Sequence, residues 1–168
     1  MPTIYLSPST QEFNEYADGL GTEEEWMNRL ADAMEPQLTA SGIRFTRNTP
    51  DMTAASSIQA SNAGSYDLHL ALHTNASGAG QEGRNRGILA FYYPGSPRGQ
   101  RAAEFFVDGL KAIYPLPALV RTEPTTTIGE VRRTRAPAVL LELGFHDNPE
   151  DAQWIVTHID AMAESLVL

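Results

Sequence analysis

Pro137-Ala138-Val139-Leu140-Leu141-Glu142-Leu143-Gly144-Phe145 is an apolar run broken by one carboxylate, and its reading decides how the rest of the chain folds. A run of this length, without polar alternation, is a strand covered on both faces. Helices must therefore lie on either side of the sheet that contains it. Glu142 is the anomaly in the run. A buried, unpaired carboxylate costs several kcal/mol, so such a group takes a raised pKa, finds a partner or meets a metal. A raised pKa suits a general acid/base. The structural alternative is a salt bridge with Arg132, Arg133 or Arg135.

Working outward, elements alternate. Thr3 to Leu6 reads as a short strand. Thr22-Glu23-Glu24-Glu25 reads as a helix start, with Met27, Leu30, Met34 and Leu38 at helical spacing and Gly42 as the stop. Pro36 is expected to kink or shorten the last turn. Ile43 to Thr46 is strand-like, and Met52 to Ala63 is a Ser-rich helix with a weak pattern. Asp67 to His73 and Gly87 to Tyr93 are strands, Gln100 to Ile113 is an amphipathic helix, and Asp151 to Leu166 closes the chain. This predicts a single α/β domain over 1–168, with a mixed, mostly parallel sheet and helices on both faces. Such sheets carry their chemistry at the carboxyl ends of strands. That rule points to Ser7–Thr10, His73–Asn75 and Glu142–Asn148.

The chain has 168 residues, with 12 basic against 21 acidic residues for a net charge of -9. Lys111 is the only lysine, and there is no cysteine. A disulfide framework, thiolate metal site and cysteine nucleophile are thereby excluded. The acidic balance argues against nucleic acid and anionic membrane as partners. No apolar run is long enough for a membrane span. No basic, apolar leader precedes the first strand. Expectation here is a chain not exported by a cleaved signal, or one trimmed of it.

Two motifs fail on context. Gly78-Ala79-Gly80-Gln81-Glu82-Gly83 matches a dinucleotide fingerprint, but a strand follows it instead of a helix. Gly95-Ser96-Pro97-Arg98-Gly99 has its serine one place early for a nucleophile elbow. His69 and His73 share one face of a strand. His69 reads as a hydrogen-bonded core or rim residue, whereas His73 ends the strand, where a ligand can face an open cleft. Glu23 lies in phase with the buried stripe of its helix, so its carboxylate points toward the sheet. Glu24 and Glu25 read as partners of the helix dipole.

In order and spacing, these blocks resemble the catalytic domain of the zinc-dependent, type-3 N-acetylmuramoyl-L-alanine amidases. The likeness runs from Ile4 to about Trp154. It rests on Ile4-Tyr5-Leu6-Ser7-Pro8, the acid opening the first helix, Phe45-Thr46-Arg47 with Asp51, Asp67 through His73-Thr74-Asn75-Ala76, and Pro137 through Phe145 with Asn148 and Asp151. The resemblance implies a phosphorylase/hydrolase-like fold and a peptidoglycan hydrolase. Its bond is the amide between N-acetylmuramic acid and L-alanine of the stem peptide. It also implies zinc as cofactor, Glu23 and His73 as ligands, Glu142 as catalytic base, and Asn75 and Arg133 as substrate-binding residues. Glu24 is the one-residue-shift alternative to Glu23. Where the family's first loop carries a histidine ligand, this chain has Thr10. His146, or Glu12 in the altered loop, is the candidate replacement. A second reading follows from Thr10: a degenerate amidase-fold module that binds muropeptides or a partner without turnover. On the family's pattern the chain is a phage lysin or an internal domain of a larger wall-acting protein.

Overall fold

Strands and helices alternate as expected in a computed structural model whose described residues are 1–167. β1 (Thr3–Pro8) leads through a loop to α1 (Glu23–Ala40), and β2 (Arg44–Arg47), α2 (Ala54–Ala63) and β3 (Leu68–Asn75) follow. Next come β4 (Ile88–Tyr92), α3 (Pro97–Lys111), β5 (Val120–Pro124) and the one-turn α4 (Gly129–Arg132). β6 (Ala138–Phe145), α5 (Pro149–Thr157) and α6 (Ile159–Val167) complete the chain. The sheet order is β2-β1-β3-β6-β4-β5. β2, β1, β3 and β6 are parallel, β4 joins β6 antiparallel, and β5 runs parallel to β4. The apolar run that opened the sequence reading is β6, in the middle of a mixed, mostly parallel α/β sheet.

Alternation along the strands sorts side chains into two unlike faces. Ile4 and Leu6 of β1, Leu70 and Leu72 of β3, and Val139 and Leu141 of β6 enter the main core. There they meet Met27, Leu30 and Met34 of α1, Val107 and Leu110 of α3, and Met162 of α6. Each fully buried side chain of this size contributes roughly 1.5–3 kcal/mol, so most of the fold's apolar stabilisation lies on this face. The opposite face has a small apolar cluster, with Ala71, Leu140 and Val131 of α4 at its centre. Phe91 and Ile128 pack against it, and around it this face buries polar residues: Ser7, His69, His73, Ser57 and Ser61.

Local signals account for the helix ends. Thr22 caps α1 by accepting from the Glu25 amide at 3.2 Å, and Gly42 adopts φ 74° after its last turn. Thr53 and Ser56 form a capping box at α2, so that helix begins at Ala54 instead of Met52. Pro36 does not cut α1 short. Pro36 and Asp32, whose carbonyl loses its bond to the missing N–H, are both exposed, so water can satisfy that carbonyl. The closing helix is two helices. It breaks at His158, which has φ -123° and stacks on Trp154. β2 lies one residue later than expected. β5, a short edge strand of mixed polarity ending at Pro124, carried too weak a pattern to be read.

Candidate active site

The carboxyl ends of the parallel strands β1, β3 and β6 gather on one edge. His73 and Glu142 are directly paired positions on β3 and β6, so both side chains project from the polar face at the same height. Glu23 arrives from elsewhere, at the first position of α1 after the Thr22 cap. Its Oε2 lies 2.9 Å from His73 Nδ1, and its Oε1 accepts from Asn14 Nδ2 at 2.8 Å. Glu24 instead uses its backbone carbonyl to accept from Asn28 Nδ2. Three residues 50 to 119 positions apart along the sequence therefore share one site.

The other ring nitrogen of His73 meets a residue that no sequence pattern singled out. His73 Nε2 lies 3.0 Å from Glu130 Oε2. Glu130 Oε1 accepts from Ser7 Oγ at 2.5 Å and lies 3.1 Å from His69 Nε2. His69 is the hydrogen-bonded core residue expected: Nδ1 bonds with Ser61 Oγ at 2.9 Å, and the ring stacks on Tyr5. Burial alone would drive these groups toward neutrality, but the partners outweigh it. Glu23 is held below the usual carboxylate range, by His73 above all, with Asn14 and Ser9 assisting. Glu130 is held well below that range by His69 and His73. His73 is raised above the usual histidine range by Glu130 and Glu23.

Glu142 has the opposite fate. Its Oε2 is enclosed and, among the described residues, has no hydrogen-bond partner. Burial is the main cause that pushes its pKa up to about 7, with the Glu23 charge adding to the rise and His73 opposing it. Among the described residues the salt bridge to Arg132, Arg133 or Arg135 does not form, and the ion pairs present all involve other residues. A carboxyl group poised near neutrality is the property required of a proton acceptor.

The remaining candidates differ in how they relate to this cluster. His146, past the end of β6, bonds through Nδ1 with Thr74 Oγ1 at 2.9 Å and stacks on Tyr16. Burial lowers its pKa, and the charge of Glu23 acts against that. Among the described residues Nε2 of His146 bonds to no protein group. Asn75 lies at an irregularity in the β3–β6 pairing, with its Oδ1 turned back to the Ala76 amide. Arg133 is exposed beside α4, and its carbonyl accepts from Asn62. Glu12 is exposed. Thr10 lines a cleft of about 480 Å³ whose walls also include Ser9, Gln11, Phe13 and Thr53, with His73 and Glu130 reaching it.

Donors for a metal ion are present in part. Glu23 Oε2 and His73 Nδ1 approach as two neighbouring ligands would. Among the described residues, however, no three His, Asp or Glu side chains are gathered into a ready ligand set. His73 has both ring nitrogens beside carboxylate oxygens, Nδ1 at Glu23 and Nε2 at Glu130, whereas His146 is tied through Nδ1 to Thr74. An imidazole held through one nitrogen by a protein oxygen is in the usual condition to give its other nitrogen to a metal. The donor chemistry thus fits zinc, which accepts mixed nitrogen and oxygen ligands.

A family model described as N-acetylmuramoyl-L-alanine amidase matches residues 11–167. No curated protein sequence matches the chain. Among solved structures, it is similar to the amidase AmiC2 of Nostoc punctiforme, with TM-score 0.84 and 14% identity over 99% of this chain and 93% of that one. It is similar as well to the catalytic domain of the CD27L endolysin targeting Clostridia Difficile, with TM-score 0.81 and 22% identity over 99% and 95% of the two chains. Ami1 of Mycobacterium smegmatis gives TM-score 0.81 and 16% identity over 99% and 93%. At such identities these three similarities speak to the fold. No helix among the described residues is long and apolar enough to cross a membrane.

Proposed function

The chain belongs to the N-acetylmuramoyl-L-alanine amidase family, and on that premise we propose that it hydrolyses the amide between N-acetylmuramic acid and L-alanine of the stem peptide in peptidoglycan. The observation that carries this reading is Glu142, a carboxyl raised to about 7 with an enclosed, unpartnered oxygen next to His73. Its ionised form takes a proton from the attacking water as oxygen adds to the lactyl carbonyl. The same proton then passes to the nitrogen as the C–N bond breaks, which leaves a carboxyl on the sugar and a free amine on alanine. Zinc, when bound, supplies polarisation of the carbonyl and acidification of water. Glu23 and His73 would hold it, with His146 Nε2 as third donor in place of the histidine that Thr10 replaces. Asn75 and Arg133 bind substrate in this reading.

The test is release of stem peptides from purified cell walls by the wild-type protein and by Glu142→Gln. Turnover in the first and its loss in the second support the proposal. Elemental analysis of protein purified without added metal addresses the cofactor: about one zinc per chain is expected, and His146→Ala should lower it. Thr10 favours one alternative, a module that binds muropeptides without cleaving them. Binding without turnover, even with added zinc, would select that alternative.

A further inference from the structure

Glu130 lies in a one-turn helix on the polar face of the sheet and is only 5% exposed. A carboxylate so placed is costly unless its oxygens are well bonded. Oε1 is already served by Ser7 and His69, and His69 is itself fixed by Ser61 and Tyr5. Those contacts anchor Glu130 at the cleft, whose lining Ser7 shares with it. Oε2 then reaches His73 Nε2 at 3.0 Å.

Glu130 is badly placed to be a ligand alongside Glu23. The two carboxylates lie on opposite edges of the imidazole, one at Nδ1 and one at Nε2, so they do not converge on one point. The backbone near His73 needs support as well, because pairing between β3 and β6 becomes irregular just beyond it. We propose that Glu130 is a positioning residue that clamps His73 through Nε2, so that Nδ1 is presented to Glu23 and to a metal shared with it. This inference rests on the reading of Glu23 and His73 as a ligand pair. A histidine that donates one N–H to a fixed carboxylate has its tautomer and ring orientation set for binding at the other nitrogen.

Two variants test the clamp. Glu130→Gln fills the same space: its carbonyl can turn to His73 and its NH₂ to Ser7 and His69, but the charge is lost. Ser7→Ala leaves Glu130 and His73 intact and frees one anchor of Oε1. Zinc affinity is measured with the metal alone, by competition against a chelator, on folded protein. His73 ring ¹⁵N shifts are recorded alongside, and kcat and KM for stem-peptide release are determined separately. Glu130→Gln should weaken zinc binding by about 10–100-fold and lower kcat with KM nearly unchanged. Ser7→Ala should do the same to a smaller degree, and it decides the matter should Glu130→Gln not fold. A merely structural Glu130 would shift melting and leave zinc affinity and the ¹⁵N shifts where they were. If the wild type binds zinc and cleaves while both variants match it, the clamp is overturned and the proposed function stands. If the wild type neither binds zinc nor cleaves, both fall.

Discussion

The two faces of the sheet are made by the same strands, yet one resembles an ordinary protein interior and the other does not. Leu70 and Leu72 of β3 point into a core of leucines and methionines from α1, α3 and α6. One residue along in each case, His69 and His73 point to the other side, toward Ser61, Glu130 and Glu23. The helices match their faces: α1 turns Met27, Leu30 and Met34 inward, whereas α2 turns Ser57 and Ser61 inward. The lesson is a division of labour within single strands. Apolar burial on one face supplies stability, while the other holds ionisable groups that keep one another charged, with Glu142 alone pushed toward neutrality.

The sharpest way to break that division is at Glu142. Glu142→Gln keeps the shape of the polar face and removes the proton acceptor. Stem-peptide release should fall by about 10²–10⁴-fold, with the far-ultraviolet circular dichroism spectrum unchanged. Turnover retained near the wild-type level would show that the chemistry lies elsewhere. On the apolar face, Leu70→Ala should lower unfolding free energy by about 2–5 kcal/mol in urea titrations, since it leaves a cavity in a tightly buried cluster. Residual native protein should keep its activity per folded molecule.

The same contrast explains what could be read without coordinates. β6, β3, α1 and α3 were legible because their apolar patterns are made by the rich face. α2 was faint because a helix packed on a polar surface has serines where leucines would stand. The inward phase of Glu23, the strand-end place of His73 and the isolation of Glu142 were visible as acids or bases at apolar-phase or terminal positions. Glu130 was not. It lies in a four-residue helix with no periodicity, and its role comes from Ser7, His69 and His73, which are 57 to 123 positions away. Only the fold brings such partners together. β5 was lost for the usual reason that a short edge strand with polar residues lacks a signature.

Glu142→Gln also sharpens the comparison through stability, with a sign opposite to that of most substitutions. The folded pKa of about 7 lies above the ordinary 4.5. Folding therefore favours the protonated form, and the stability this group contributes is complete below about pH 4.5 and is lost as pH rises through 7. Glutamine cannot ionise. The difference, reduced for partial solvent contact of the side chain, predicts that Glu142→Gln is more stable than wild type by roughly 2–3 kcal/mol at pH 8. Melting curves at pH 4 should coincide. A gain that is equal at both pH values would mean that packing is the cause and not the buried charge.

The smallest effect bears most directly on whether the polar face helps to hold the fold together. Ser57 is buried on α2 and accepts from Asn48 Nδ2 at 3.0 Å. Asn48 Nδ2 also reaches the Pro8 carbonyl at 3.1 Å and Ser7 Oγ at 3.3 Å, so removing one acceptor does not strand the donor. The expected loss for Ser57→Ala is therefore below about 1 kcal/mol, the net value of one ordinary hydrogen bond. Urea unfolding of Ser57→Ala beside Leu70→Ala reads the two faces on one scale. Were Ser57→Ala to cost as much as Leu70→Ala, the serines of α2 would be structural members of equal rank. The polar face could then no longer be described as chemistry supported by the opposite core.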